Sequence, residues 1–203
     1  MSDLGATEFP TSGFEAIIFD LDGTLVDSMP VHFRAWCTAL DQYGAPGVFP
    51  EDVFYAMGGR PTKDIVVALN GEKGLNLDPM AVAYSKREAF LEHLSEVEII
   101  ENVVAFARKW YGKVPLAVAT GGTRLVAEKT LLEVGLSDLF DEVVTADDVS
   151  CGKPAPDIYL EAARRLAIAP EKCLVVEDAP AGIMAGQSAG MEVVVVPAPV
   201  HVH

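Results

Sequence analysis

Basic residues are scarce in this chain. Fifteen Lys and Arg stand against thirty Asp and Glu in 203 residues, a formal net charge of −15 at pH 7. So acidic a surface repels polyphosphate backbones and anionic lipid, which excludes nonspecific nucleic-acid binding and attachment to an anionic membrane. Cysteine is scarce too. Cys37, Cys151 and Cys173 are odd in number and widely spaced, and no Cys-x-x-Cys pair exists. Neither a disulfide framework nor a zinc site is indicated, and a reducing, cytoplasmic setting is expected. No apolar run reaches the length of a membrane span. The opening 13 residues carry Asp3 and Glu8 with no basic or apolar region. They are therefore expected to be a frayed extension and not a signal peptide. Internal repeats and low-complexity tracts are absent. What is present is an apolar content of 50%, enough for a substantial core.

That apolar content is arranged in short runs at 16–19, 115–120, 142–145, 173–177 and 192–196, rich in Val and Ile. Continuous rather than alternating apolarity marks strands covered on both faces, as in a parallel sheet. Amphipathic segments at 123–134, 157–166 and 180–189 lie between these runs, with Gly135 and Gly190 as stops. The alternation predicts an α/β fold, a doubly wound parallel sheet with right-handed crossovers. The first two runs are too far apart for one crossover. The stretch between them reads as helical, with Phe33, Trp36, Cys37 and Leu40 at helical spacing. Further helices are expected at 62–70, 80–95 and 103–110. Residues 29–97 are accordingly expected to form an inserted α-helical cap, and 14–28 with 98–203 the α/β core.

The first run ends in Asp20-Leu21-Asp22-Gly23-Thr24. Carboxylates at i and i+2 after a strand share a face, and glycine then turns the backbone away. Like charges so close need a cation, and hard oxygen donors favour Mg2+. A carboxylate nucleophile beside Mg2+ suits phosphoryl transfer through an aspartyl-phosphate. The plain alternative is an Asp-Gly turn with both acids solvated.

Other groups have the same double character. Thr120-Gly121-Gly122-Thr123 ends one strand and opens a helix. It offers a hydroxyl and free amides to a phosphate, or else a simple N-cap at Thr123. Lys153 is held between Gly152 and Pro154 on a constrained loop, and reads as a cation for an anion site rather than a surface lysine. Glu177-Asp178 follows a fully apolar strand, where acids are costly unless paired or metal-bound, or where Asp178 caps a helix. Asp147-Asp148 reads as a solvated or capping loop. His32 lies near the mouth of the expected cleft, as a substrate or gating group or a structural one. Trp36 reads as cap core. Arg60, within Gly58-Gly59-Arg60-Pro61, is suited to a sugar or second anionic group, or to the bare surface.

Together these residues resemble the haloacid dehalogenase superfamily, in the branch of sugar phosphatases and beta-phosphoglucomutases with a helical cap. The family's four motifs correspond to Asp20 through Thr24, Thr120, Lys153 in Gly152-Lys153-Pro154-Ala155-Pro156-Asp157, and Glu177-Asp178 before Ala179-Pro180-Ala181-Gly182-Ile183. The resemblance implies Asp20 as nucleophile and Mg2+ ligand. It implies Asp22 as general acid/base with its backbone carbonyl on the metal. Thr120 and Lys153 would bind the phosphoryl group, Gly121 would lie beside it, and Glu177 and Asp178 would complete the metal site. His32 and Trp36 match the His-Phe-Arg-Ala-Trp stretch of the mutases. One departure stands out. The mutases carry a lysine before the cap glycine and an arginine nearby, where this chain has Met57 and Pro61. That difference, and the short tail after Pro197, favour a phosphatase acting on a small sugar or polyol phosphate resembling fructose 1-phosphate. The alternatives are a beta-phosphoglucomutase and a non-enzymatic Mg2+-binding phospho-acceptor module. The expected partner is a small-molecule phosphate ester, and the default assembly is a monomer.

Overall fold

The structure is a computed structural model and describes residues 7–58 and 60–197. Gly59, the first six residues and the tail after Pro197 lie outside the described residues, and so do the expectations that fall on them.

The chain runs β1 (Ala16–Phe19), β2 (Val26–Asp27), α1 (Met29–Gln42), α2 (Glu51–Ala56), α3 (Thr62–Lys73) and α4 (Pro79–Glu92). It continues through β3 (Glu98–Ile99), α5 (Glu101–Trp110), β4 (Leu116–Ala119), α6 (Arg124–Glu133), β5 (Glu142–Val144) and α7 (Asp157–Leu166). It ends with β6 (Cys173–Glu177), α8 (Pro180–Ser188) and β7 (Glu192–Val195). Five strands form one parallel sheet in the order β5-β4-β1-β6-β7. The expected strands and helices are thus present, with ends shifted by a few residues.

The sheet is covered on both faces because its central strands alternate two apolar sets. Ile17, Phe19, Leu116, Val118, Leu174 and Val176 pack with Val103, Val104 and Phe106 of α5 and Val126, Ala127 and Leu131 of α6. Ala16, Ile18, Ala117, Ala119 and Val175 pack on the other side with Ile158, Tyr159 and Ala162 of α7 and Ala185 of α8. Every one of these strand residues is buried, which explains why the runs show no polar alternation.

Helices α1 to α4 have a third cluster of their own, built on Trp36, Leu40, Phe49, Phe54, Val66, Leu69 and Val82. The inner ends of α1 and α4, through Val31, Ala35, Ala89 and Phe90, join the sheet's cluster instead. The short strands β2 and β3 pair antiparallel where the chain leaves for these helices and returns. Two residues carry no periodicity, so neither strand is visible in the sequence, and α2 is too short to show a helical pattern.

The frayed-extension expectation needs correction where the structure describes it. Phe9 stacks on Phe106 at 4.3 Å between ring centroids, and just beyond the segment Phe14 meets Trp110 edge-on at 4.9 Å. Aromatic burial anchors this segment on α5.

Candidate active site

The strand order reverses direction beside β1, so a crevice opens at the carboxyl edge between β1, β4 and β6. Asp20 and Asp22 follow β1, Thr120 follows β4, and Glu177 and Asp178 close β6. Lys153 arrives on the loop between β5 and α7.

Lys153 is buried, and its Nζ donates to Asp20 Oδ1 at 2.5 Å and to Glu177 Oε1 at 2.7 Å. The Tyr159 hydroxyl also donates to Glu177 Oε1 at 3.3 Å, and the Ala179 amide donates to Glu177 Oε2 at 2.6 Å. Both oxygens of Glu177 are therefore engaged. Thr24 Oγ1 donates to Asp178 Oδ1 at 2.9 Å. One oxygen each from Asp20, Glu177 and Asp178 lies within 4.8 Å of the others.

The charges in this cluster do not balance. Burial pushes the Asp20 carboxyl well above its ordinary range, opposed by Lys153 and reinforced by Glu177, Asp178 and Asp22. Burial and then Glu177 push Asp178 up to about 6. Lys153 stays charged. Burial would lower its pKa, but Asp20 and Glu177 together hold it well above the ordinary lysine value. One lysine among four carboxylates leaves an excess of negative charge that a divalent cation would relieve.

The backbone is cut to fit those acids. A Cβ on Gly182 would lie 1.6 Å from Glu177 Oε1, and one on Gly23 would lie 2.4 Å from Asp178 Oδ2. Gly23 also holds a φ of +91°, open to glycine at little cost. Both positions leave space for carboxylates that converge on one point, and hard oxygen donors of this kind suit Mg2+.

Asp22 has a different environment. Its Oδ1 accepts from Ser28 Oγ at 2.6 Å and from His32 Nε2 at 3.1 Å, and its Oδ2 from Thr120 Oγ1 at 3.3 Å. Lys86 Nζ donates to His32 Nδ1 at 2.9 Å, which assigns the His32 proton to Nε2. His32 stacks on Phe90 with ring centroids 3.9 Å apart. Burial raises the Asp22 pKa but is outweighed by His32, the Ser28 hydrogen bond and the Lys86 charge, so the net shift is downward. Burial, then Lys86, lower the His32 pKa, with Asp22 opposing. The chain Lys86–His32–Asp22 thus keeps a neutral imidazole between an amine and an ionised carboxylate.

A cavity of about 770 Å3 sits over these groups. Asp20, Asp22, His32, Arg60, Thr120, Gly121, Glu177 and Asp178 all line it, while Lys153 lies beneath and does not. Thr120 Oγ1 accepts from the Gly122 amide at 3.0 Å. Thr123 is the N-cap of α6, yet its side chain caps nothing. Asp147 caps instead, accepting the Arg124 amide at 2.8 Å. Asp148 belongs to a capping box with Thr145 and pairs with Arg124 and Arg165. Asp178 is not a helix cap, since α8 is capped at Ala179. Three contributors are not foreseen from the sequence: Lys86, Ser28 and Tyr159. Ser28 lies six residues from Asp22, and that proximity is the signal that could have found it. Lys86 and Tyr159 sit inside the helices α4 and α7, and nothing local marks them.

The sequence matches the haloacid dehalogenase-like hydrolase family over residues 14–190. The chain belongs to that family. Within these hydrolases it is similar to the fructose-1-phosphate phosphatase YqaB of Escherichia coli, at 39% identity over 89% of this chain and 95% of that one. It is 35% identical to hexitol phosphatase A of the same organism, over 91% of this chain and 84% of that one. Among solved structures, CbbY from Rhodobacter sphaeroides in complex with phosphate superimposes with a TM-score of 0.83 at 25% identity, over 91% of this chain and 86% of that one. As a haloacid dehalogenase-like hydrolase with phosphatase relatives of this kind, the chain is a phosphoric monoester hydrolase. Among its described residues no helix is long and apolar enough to cross a membrane.

Proposed function

We propose that this hydrolase is a Mg2+-dependent phosphatase of a small sugar or polyol phosphate, of the fructose 1-phosphate kind, working through an aspartyl-phosphate on Asp20. The observation that carries the reading is the floor of the cavity. There a strand-end carboxylate, Asp20, is held by a buried lysine at 2.5 Å, with three further acids around it. Similarity to phosphatases named for fructose 1-phosphate and hexitols supports the substrate class. We assign 29–97 as a cap over the core formed by 14–28 and 98–203.

Asp20 attacks phosphorus, and the bond from phosphorus to the sugar oxygen breaks. Lys153 neutralises charge beside Asp20, while Thr120 and the Gly121 amide face the phosphoryl oxygens. Asp22 gives a proton to the departing sugar oxygen, then takes one from the water that cleaves the aspartyl-phosphate. Asp22 is ionised in the free site; an arriving phosphate dianion raises its proton affinity through like-charge repulsion, and the carboxylate then takes from solvent the proton it gives to the sugar oxygen. His32, fixed between Lys86 and Asp22, holds that carboxylate in place. Asp20, Glu177, Asp178 and the Asp22 carbonyl would hold Mg2+, which when bound supplies positive charge opposite the charge that develops on the phosphoryl group.

Hydrolysis is favoured over mutase chemistry because Met57 and Pro61, both lining the cavity, stand where the mutases carry a lysine and an arginine. Phosphate release from a panel of sugar phosphates, with and without Mg2+, tests the proposal. Release from fructose 1-phosphate or a hexitol phosphate only with Mg2+ is expected. Conversion of beta-glucose 1-phosphate to glucose 6-phosphate without free phosphate would establish the mutase instead.

A further inference from the structure

Gly152 precedes the active-site lysine, and its backbone φ lies outside the left-handed region, so conformation alone does not demand glycine there. Space does. A Cβ at Gly152 would lie 3.0 Å from Cγ and 3.4 Å from Cδ of Pro61. Pro61 comes from the far side of the cavity, as the N-cap of α3 with φ −58° and ψ 137°. Its ring is rigid, it is fixed at the head of a 12-residue helix, and it lines the cavity. The helical layer therefore presses a rigid knob onto the residue next to Lys153, whose amine joins Asp20 to Glu177.

We infer that Pro61 is a positioning residue that seats the lysine loop when the helical layer is closed over the cavity. The inference rests on the phosphatase reading of the site. In a packed interior, contacts of this kind transmit displacement instead of absorbing it. A leaving group small enough to fit beneath Pro61 lets its ring reach Gly152. A larger one holds the ring off and leaves the Lys153 loop without its support. The same contact thus ties substrate size to the placement of the lysine.

A double-mutant cycle read by kcat/KM on fructose 1-phosphate, with Tm measured in parallel, tests this. Gly152→Ala is expected to lower kcat/KM about ten-fold at an unchanged Tm, and Pro61→Ala about three-fold. The double variant, in which the alanine methyl occupies the vacated ring space, is expected to return to the level of Pro61→Ala alone. A Gly152→Ala enzyme as active as wild type overturns the inference. So does a double variant no better than Gly152→Ala, because the methyl then harms the loop without involving Pro61. Should Gly152→Ala not fold, Pro61→Ala decides. Its kcat/KM for a bulky disaccharide phosphate, relative to fructose 1-phosphate, is expected to rise about three-fold, and an unchanged ratio overturns the inference. A wild-type chain that hydrolyses no phosphate ester of any size contradicts the phosphatase reading itself, and is distinct from all these outcomes.

Discussion

Lys86 acts on the chemistry without touching it. Its amine reaches Asp22 only through the His32 ring, at 2.9 Å and then 3.1 Å. Burial pushes the amine down to about 8, with Asp22 opposing. Below that pH the amine is charged and adds positive potential to the cavity it lines, which favours a phosphate dianion; above it the charge is lost. kcat/KM should therefore fall as pH rises through about 8. Lys86→Arg, charged throughout, should abolish that limb, and Lys86→Gln should lower activity about ten-fold at neutral pH. A pH–rate profile of the three proteins checks this. Lys86 also shows where sequence reasoning ends. Asp20, Asp22, Glu177 and Asp178 are legible because acids directly after buried strands have few bland explanations. Lys153 is legible because glycine and proline flank it. Lys86 is one lysine on a helix surface pattern, 54 residues from the histidine it contacts. Only the packing of α1 against α4 brings the two together.

At the scale of single elements, the first turn of α8 exists in its observed place because Gly182 leaves room for the Glu177 carboxylate. Gly182→Ala should displace Glu177 and, if Glu177 holds the proposed Mg2+, lower activity about ten- to a hundred-fold. Gly71, on the exposed side of α3, offers the contrasting case, since a methyl added there would meet nothing within 4 Å. Gly71→Ala should stabilise the fold by about 1 kcal/mol through helix propensity alone, with kinetics unchanged. Thermal melts and steady-state rates of both variants distinguish the two glycines. The strands and long helices are legible because each buries a continuous face. The start of α6 is not. Thr123 looks like its cap by residue type, but Asp147, over twenty residues later, accepts the Arg124 amide. Local chemistry does not foresee a cap delivered by another loop.

Across the whole molecule, an acidic chain gathers four of its carboxylates at one sheet edge around one buried lysine. Such a site carries an excess of negative charge that the proposed Mg2+ would relieve. Mg2+ should therefore raise Tm, by about 3 kcal/mol of added stability at a hundred-fold excess over its Kd. The gain should shrink as pH falls through about 6, where Asp178 takes a proton and competes with the ion. Calorimetry at several pH values, with Asp178→Asn as the comparison, checks both the gain and its pH dependence. The two apolar faces of the sheet, legible as runs without polar alternation, bury the strands that carry this edge, and residues of α1 to α4 line the cavity over it. The proposed covalent step is tested most directly by phosphate release from a sugar phosphate by Asp20→Asn in the presence of Mg2+. With Tm retained, release is expected to fall at least about a thousand-fold below wild type. Release by that variant at the wild-type rate would mean that Asp20 does not take the phosphoryl group.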